Sequence, residues 1–295
     1  MADWGYAGEV GPEQWGKLCP EYAIAVDGKA QSPIDLPRPC LKACASEDSM
    51  DMDDEAKDDN KDEAKESSET QPVTLKLKSA PGTIINNGLT IMVNAEGASS
   101  FKVNGREYEL AQFHFHSPAE HTFGGVRHDL ELHLVHMAKP GQGPGPVAAV
   151  VGIHFKLGDT PDPFLARVFE HVPGLTKGEV TALPELVAFN DLVIDNLFFD
   201  YEGSLTTPPC SEGIHWCVMQ KVLTMTEEQL EIFRTAIPFD NYRPVQPLNG
   251  RAIEVVSCTC SKPHTVKEQA KKVTRIAPEA PKTSVKASSA TASTA

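Results

Sequence analysis

The sequence predicts a mainly β protein with few short helices. Three observations point there: short segments alternate apolar and polar residues with period two, helix-period stretches are scarce, and no apolar run is long enough to span a bilayer. The alternating segments are Ile84-Ile85, Leu89 to Val93, Phe101 to Val103, Gln112 to His116, Glu131 to His136 and Ala149 to Phe155. The clearest helix runs from Thr226 to Ala236, where Thr226 can cap the first turn and Leu230, Ile232 and Phe233 can cover the core. The longest apolar run, Val147 to Ile153, stops at His154, far short of the roughly 20 residues a membrane helix needs.

A chain of 295 residues, 40% hydrophobic and 23% charged, can bury one sizeable core, and its organisation favours one domain over residues 1–261 with appendages. The formal charge of −14 is unevenly spread: between Glu47 and Glu69 twelve acidic residues face three lysines. Residues 46–70 hold almost nothing apolar and are expected to form a solvated, disordered acidic insertion. Asp51, Asp53 and Glu55 have the spacing of a calcium loop, but Ala56 stands where the sharp turn needs glycine, so calcium is not the expected partner. The rest of the chain is only mildly acidic and gives no footprint for nucleic acid. Residues 262–295 are expected to be a low-complexity basic tail. Met1-Ala2-Asp3-Trp4 lacks the basic and apolar regions of a secretory signal. Seven cysteines leave at least one without a partner inside the chain.

In Ala111-Gln-Phe-His-Phe-His-Ser117 the two histidines are two apart. On a strand His114 and His116 therefore share one face, and Phe113 and Phe115 take the other. In Leu130-Glu-Leu-His-Leu-Val-His136, His133 shares a face with Glu131. A neighbouring strand about 4.8 Å away can bring His133 to the first pair. Three neutral imidazoles with a fourth position open to water are the donor set of a catalytic zinc site, whereas structural sites are closed by four ligands rich in cysteine. Gln112 is on the face to orient His114, and Glu131 to orient His133. His121, His128, His136, His154, His171, His215 and His264 lack such a pattern and are read as structural or surface groups.

Gln112-Phe-His-Phe-His116, Glu120-His121-Thr122 and Glu131-Leu-His-Leu-Val-His136 together resemble the signature of the α-carbonic anhydrases. Trp4-Gly-Tyr6, Gly11-Pro-Glu-Gln-Trp15, Gln31-Ser-Pro-Ile-Asp35, Ile85-Asn-Asn-Gly88, Gly203-Ser-Leu-Thr-Thr-Pro-Pro209 and Asn241-Tyr-Arg-Pro-Val-Gln-Pro247 extend the likeness in order and approximate spacing. It covers about residues 3 to 257, excluding the acidic insertion.

The resemblance implies a single domain on a large, twisted, mostly antiparallel sheet, with Zn2+ at the bottom of a conical cleft. It implies reversible hydration of carbon dioxide to bicarbonate and a proton, with zinc hydroxide as nucleophile; carbonic anhydrase is the established case of zinc lowering the pKa of its water to about 7. By the same likeness the Thr206 hydroxyl and Glu120 carboxylate orient the nucleophile, and Asn241 joins Gln112 and Glu131 behind the ligands. Val135, Val150, Leu205, Thr207, Ile214 and Trp216 match the substrate pocket. Tyr6, Asn87 and Leu89 match the proton path, where fast members have histidine at the position of Leu89, and a leucine cannot carry a proton. Cys19 and Cys210 match the disulfide of secreted members, which implies a secreted, periplasmic or organelle-lumenal setting. Pairing among Cys40, Cys44, Cys258 and Cys260 stays open.

Overall fold

A computed structural model describes residues 2–39 and 73–261. The expected acidic insertion and basic tail, with Cys40 and Cys44, lie outside the described residues. The strands are β1 (Asp35–Leu36), β2 (Val73–Leu77), β3 (Thr83–Asn86), β4 (Ile91–Asn94), β5 (Ser99–Val103), β6 (Arg106–His116), β7 (Thr122–Phe123) and β8 (Val126–Arg127). They continue as β9 (Leu130–Ala138), β10 (Ala148–Leu157), β11 (Val180–Ala182), β12 (Leu197–Ser204), β13 (Glu212–Met219), β14 (Leu223–Met225) and β15 (Glu254–Ser261). Four short α-helices accompany them: α1 (Trp15–Leu18), α2 (Ile24–Asp27), α3 (Pro163–Phe169) and α4 (Glu227–Ala236).

Twelve strands form one sheet, in the order β11-β3-β4-β6-β5-β2-β15-β12-β13-β10-β14, with β9 lying between β6 and β10. Pairing in it is antiparallel except at β2–β15, β10–β13 and β10–β14. One edge of β6 pairs with β9 along most of its length, while the other pairs first with β5 and then with β4. No helix among the described residues is long and apolar enough to cross a membrane.

The ladder between β6 and β9 shifts register between Leu110 and Gln112. Before the shift Tyr108 and Leu110 are the residues of β6 in the main core; after it Phe113 and Phe115 are, while His116 is buried on the opposite face. An extra residue in a strand reverses which side chains face which way. Here it keeps both halves of β6 in the core while turning Gln112, His114 and His116 outward from it.

The main core lies on the face carrying Phe113, Phe115, Leu132, Leu134 and Cys217, and is closed by α3 and α4 through Phe164, Phe169, Leu230 and Phe233. Thr226 caps α4 as expected, its backbone N–H donating 3.2 Å to Gln229 Oε1. The opposite face carries a smaller apolar cluster that includes Val150, Tyr201, Ile214 and Trp216.

The alternating segment read from Leu89 departs from expectation. Leu89 and Thr90 precede β4, in a turn where Asn87 Oδ1 accepts from Leu89 N (2.9 Å) and Thr90 N (2.8 Å). Gly88 supplies the positive φ of 79° this turn needs.

Candidate metal centre

His114 and His133 are direct cross-strand partners, and His116 pairs with Glu131, so the β6–β9 ladder itself assembles the three imidazoles. Their ring centroids are 5.0 Å (His114–His116), 5.3 Å (His114–His133) and 4.7 Å (His116–His133) apart. One nitrogen of each ring is engaged: His114 Nδ1 donates to Gln112 Oε1 (2.9 Å), His116 Nδ1 to the Asn241 carbonyl (2.7 Å), and His133 Nε2 to Glu131 Oε1 (2.8 Å).

Those bonds leave Nε2, Nε2 and Nδ1 as the free donor atoms. One ligand atom from each ring lies within 4.8 Å of the others, and His116 Nε2 is buried with no hydrogen-bond partner. Burial holds His114 well below the ordinary histidine range and pushes His116 down to about 4. It lowers His133 too, against the opposing pull of Glu131. Neutral nitrogens are what a cation needs as ligands, so the donor set fits zinc.

Glu131 is the hub behind the site. Its Oε1 also accepts from His121 Nδ1 (2.7 Å), and its Oε2 accepts from Glu120 N (2.8 Å) and His121 N (2.9 Å). Burial alone would raise its carboxyl, but the surrounding His121, His154 and His133 imidazoles outweigh that and hold it well below the usual carboxylate range. Gly152, the cross-strand partner of His133, makes room: a Cβ there would meet Glu131 Oε1 at 3.1 Å.

Glu120 is fully buried, and its Oε1 accepts from Arg243 N (2.8 Å). Burial pushes its carboxyl up to about 7, against the lowering influence of the His133 ring and the neighbouring Thr206 hydroxyl. Glu120 Oε2, 4.0 Å from His133 Nδ1, has no partner of good hydrogen-bond geometry. Thr206 is buried just beyond β12, and Thr207 beside it is partly exposed. Val150, Ile214 and Trp216 form one cluster with the partly buried Val135 and Leu205, and the Trp216 ring lies 4.9 Å from that of His133.

The family profile for eukaryotic-type carbonic anhydrases matches residues 10–257. The chain belongs to that family. The carbonic anhydrase of Nostoc sp. is 38% identical over 253 residues covering 85% of each chain. Two solved structures resemble it at a TM-score of 0.70: the α-carbonic anhydrase of Thermovibrio ammonificans in complex with sulfanilamide, 38% identical, and dioscorin complexed with ascorbate, 30% identical. These matches cover 86% and 87% of this chain and 99% of each of those. Carbonic anhydrases hydrate carbon dioxide, and the α class are zinc enzymes.

Asn241 supports His116 through its backbone carbonyl, while its side chain accepts from Ser117 N (2.7 Å) and donates to the carbonyls of Leu89 (2.9 Å) and Phe115 (3.0 Å). Leu89 is thus tied by one residue to a ligand, but by its main chain. Asn87 is exposed, and Tyr6 packs with Trp4 and Trp15.

His121, whose spacing suggests only a structural or surface group, is fully buried and shares Glu131 with His133. It also begins a chain: Tyr201 O–H donates to His121 Nε2 (2.7 Å), Ser32 Oγ meets Tyr201 OH (2.9 Å), and Ser204 N donates to Ser32 Oγ (3.1 Å). That chain leads from the three-histidine cluster to the start of the Thr206 loop. Arg243 closes it from the other side, binding Gln31 and the Ser32 carbonyl while its N–H holds Glu120. The sequence signal was present in Gln31-Ser-Pro and Asn241-Tyr-Arg, which matched the family without revealing their purpose.

The Cys19–Cys210 bridge implied by the resemblance is not formed: both are free thiols. Cys210 is fully buried beside Trp15 and Ala25, and burial raises its thiol to about 11.

Proposed function

We propose that this chain catalyses zinc-dependent hydration of carbon dioxide, with His114, His116 and His133 as the ligands. The observation that carries this is the convergence of three neutral imidazoles, each fixed in tautomer from behind, on a point where His116 Nε2 has no protein partner. Zinc bound there supplies Lewis acidity that makes water a nucleophile near neutral pH.

The protein's own groups do the rest. Gln112, Glu131 and the Asn241 carbonyl hold the rings in place and raise their basicity. Thr206, beside Glu120, gives its hydroxyl hydrogen to the carboxylate and turns its lone pair toward the hydrogen of the attacking water, aiming the oxygen at carbon. Glu120 is held for this by Arg243 N. Val135, Val150, Leu205, Ile214 and Trp216 offer carbon dioxide an apolar wall, and Thr207 stands at its polar edge. The atoms balance: water and carbon dioxide give bicarbonate and one proton, which must leave through solvent. Leu89 offers that proton no site, so export depends on Tyr6, Asn87, ordered water and buffer. Stripping metal should abolish stopped-flow hydration and zinc should restore it; restoration of His133→Ala to full rate would refute this ligand set.

A further inference from the structure

The face of β12 and β13 turned away from the three histidines carries a second group of ligand-type side chains. On β13, Ile214, Trp216 and Val218 pack on the histidine side, whereas Cys217 and Met219 join the main core. Asp200 is the cross-strand partner of Cys217, and Glu202 that of His215. Alternation therefore delivers Asp200, His215 and Cys217 to this second face. All three are buried, and a carboxylate oxygen, an imidazole nitrogen and the thiol sulfur lie within 4.8 Å of one another.

Two features distinguish the group from an ion pair beside a core cysteine. His215 Nε2 is 2.9 Å from Asp200 Oδ1, yet it does not aim an N–H at that oxygen, and it is buried without a hydrogen bond. A buried nitrogen in that state is costly, and a cation held between it and the carboxylate would satisfy both. His215 also lines a cavity of about 420 Å³ with Arg106, Tyr108, Gln142 and Glu202, which provides an entry path. Arg106 turns its Nη1 to the carbonyls of Gln142 (3.2 Å), Gly143 (3.0 Å) and Pro144 (3.3 Å). Its charge is thereby engaged by the loop, and Asp200 and Glu202 remain as the anionic groups.

We propose that Asp200, His215 and Cys217 bind a divalent cation of the zinc class, at a site separate from the three-histidine centre. A mixed oxygen, nitrogen and sulfur set favours a borderline ion over calcium or magnesium, which take oxygen ligands. Three protein ligands leave a further position open for water. A cation bound only by the folded chain ties β12 to β13 and stabilises it by mass action.

Full-length protein stripped of metal, re-equilibrated with zinc and freed of excess should hold two zinc ions per chain by native mass spectrometry. Cys217→Ser, His215→Gln and Asp200→Asn should each hold one and keep the hydration rate. His116→Ala should also hold one, and cobalt in place of zinc should give it a near-ultraviolet sulfur-to-cobalt band. That band should vanish when Cys217→Ser is added, and the Asp200→Asn count decides the matter if the cysteine variant does not fold. A wild-type count of one, or two zincs undiminished by these substitutions, would overturn the second site and leave the histidine centre standing. A count that falls to one through Cys217→Ser but is unchanged by His116→Ala would support it and sink the histidine reading instead.

Discussion

The three histidines and the groups that face substrate are held by different means. His114, His116 and His133 stand on β6 and β9, central strands whose ladder fixes every neighbouring side chain at once. Thr206 stands on a loop closed by Leu205 N donating to Ser211 O (3.0 Å) and Cys210 N to Thr207 O (2.9 Å), and Leu89 in a turn held by the Asn87 side chain. Strand positions are over-determined by pairing and core packing, whereas loop positions rest on a few bonds each. Metal capture should therefore withstand changes that alter the rate.

The largest effect tests the strand half of that contrast. His116→Ala should lose zinc from the histidine centre and bring hydration close to the uncatalysed level, because two imidazoles leave an incomplete site; metal content and stopped-flow rates check it together. Thr206→Ala should keep that zinc and lose roughly 10²-fold in kcat/KM, the order expected when a reacting group is misplaced by about an ångström. Loss of zinc from Thr206→Ala would break the contrast, since loop and strand would then not be separable. Glu131→Gln should weaken zinc about 10- to 100-fold in a chelator competition, as the shared partner of His133 and His121 is neutralised.

Strand burial also has a pH signature. His136 on β9 is fully buried, and burial pushes its pKa down to about 4, against roughly 6.5 in an unfolded chain. Between those values the unfolded chain binds a proton that the folded chain refuses. Stability should fall as pH drops through that window, by up to about 1.4 kcal/mol per pH unit from this group. Denaturant titrations at pH 7 and pH 5 should show the loss, and His136→Gln should reduce it. The smallest effect concerns the turn: Leu89→His should raise turnover several-fold in weak buffer and leave efficiency at low carbon dioxide unchanged. A wild-type rate already insensitive to added imidazole buffer would assign the proton path elsewhere.

The clustering of the three histidines was legible because period-two spacing is a local property: His-x-His and Glu-x-His announce their faces in any strand. Asn241 was legible only as a motif residue, since its contribution to His116 is a carbonyl that every residue possesses. His121 carries no spacing signal toward Glu131, because the nine residues between them bring the two together by a chain reversal. Leu89 looked like strand since apolar residues follow it, yet the Asn87 side chain captures its N–H and delays β4 until Ile91. Strands β12 and β13 left a weak pattern because both faces are buried, so alternation of polarity is lost.

The register shift before Gln112 makes the chemistry of β6 a matter of counting. Each residue downstream of it is assigned to the histidine face or to the main core by whether its number is even or odd, with no intermediate setting. Removing Ala111 alone would reverse that parity for everything up to His116, sending Phe113 and Phe115 toward the cleft and the two histidines into hydrocarbon. Conservative substitutions along this strand change a contact; a single-codon deletion exchanges its two faces. The segment is thus tolerant of spelling and intolerant of length, the reverse of what surface loops show.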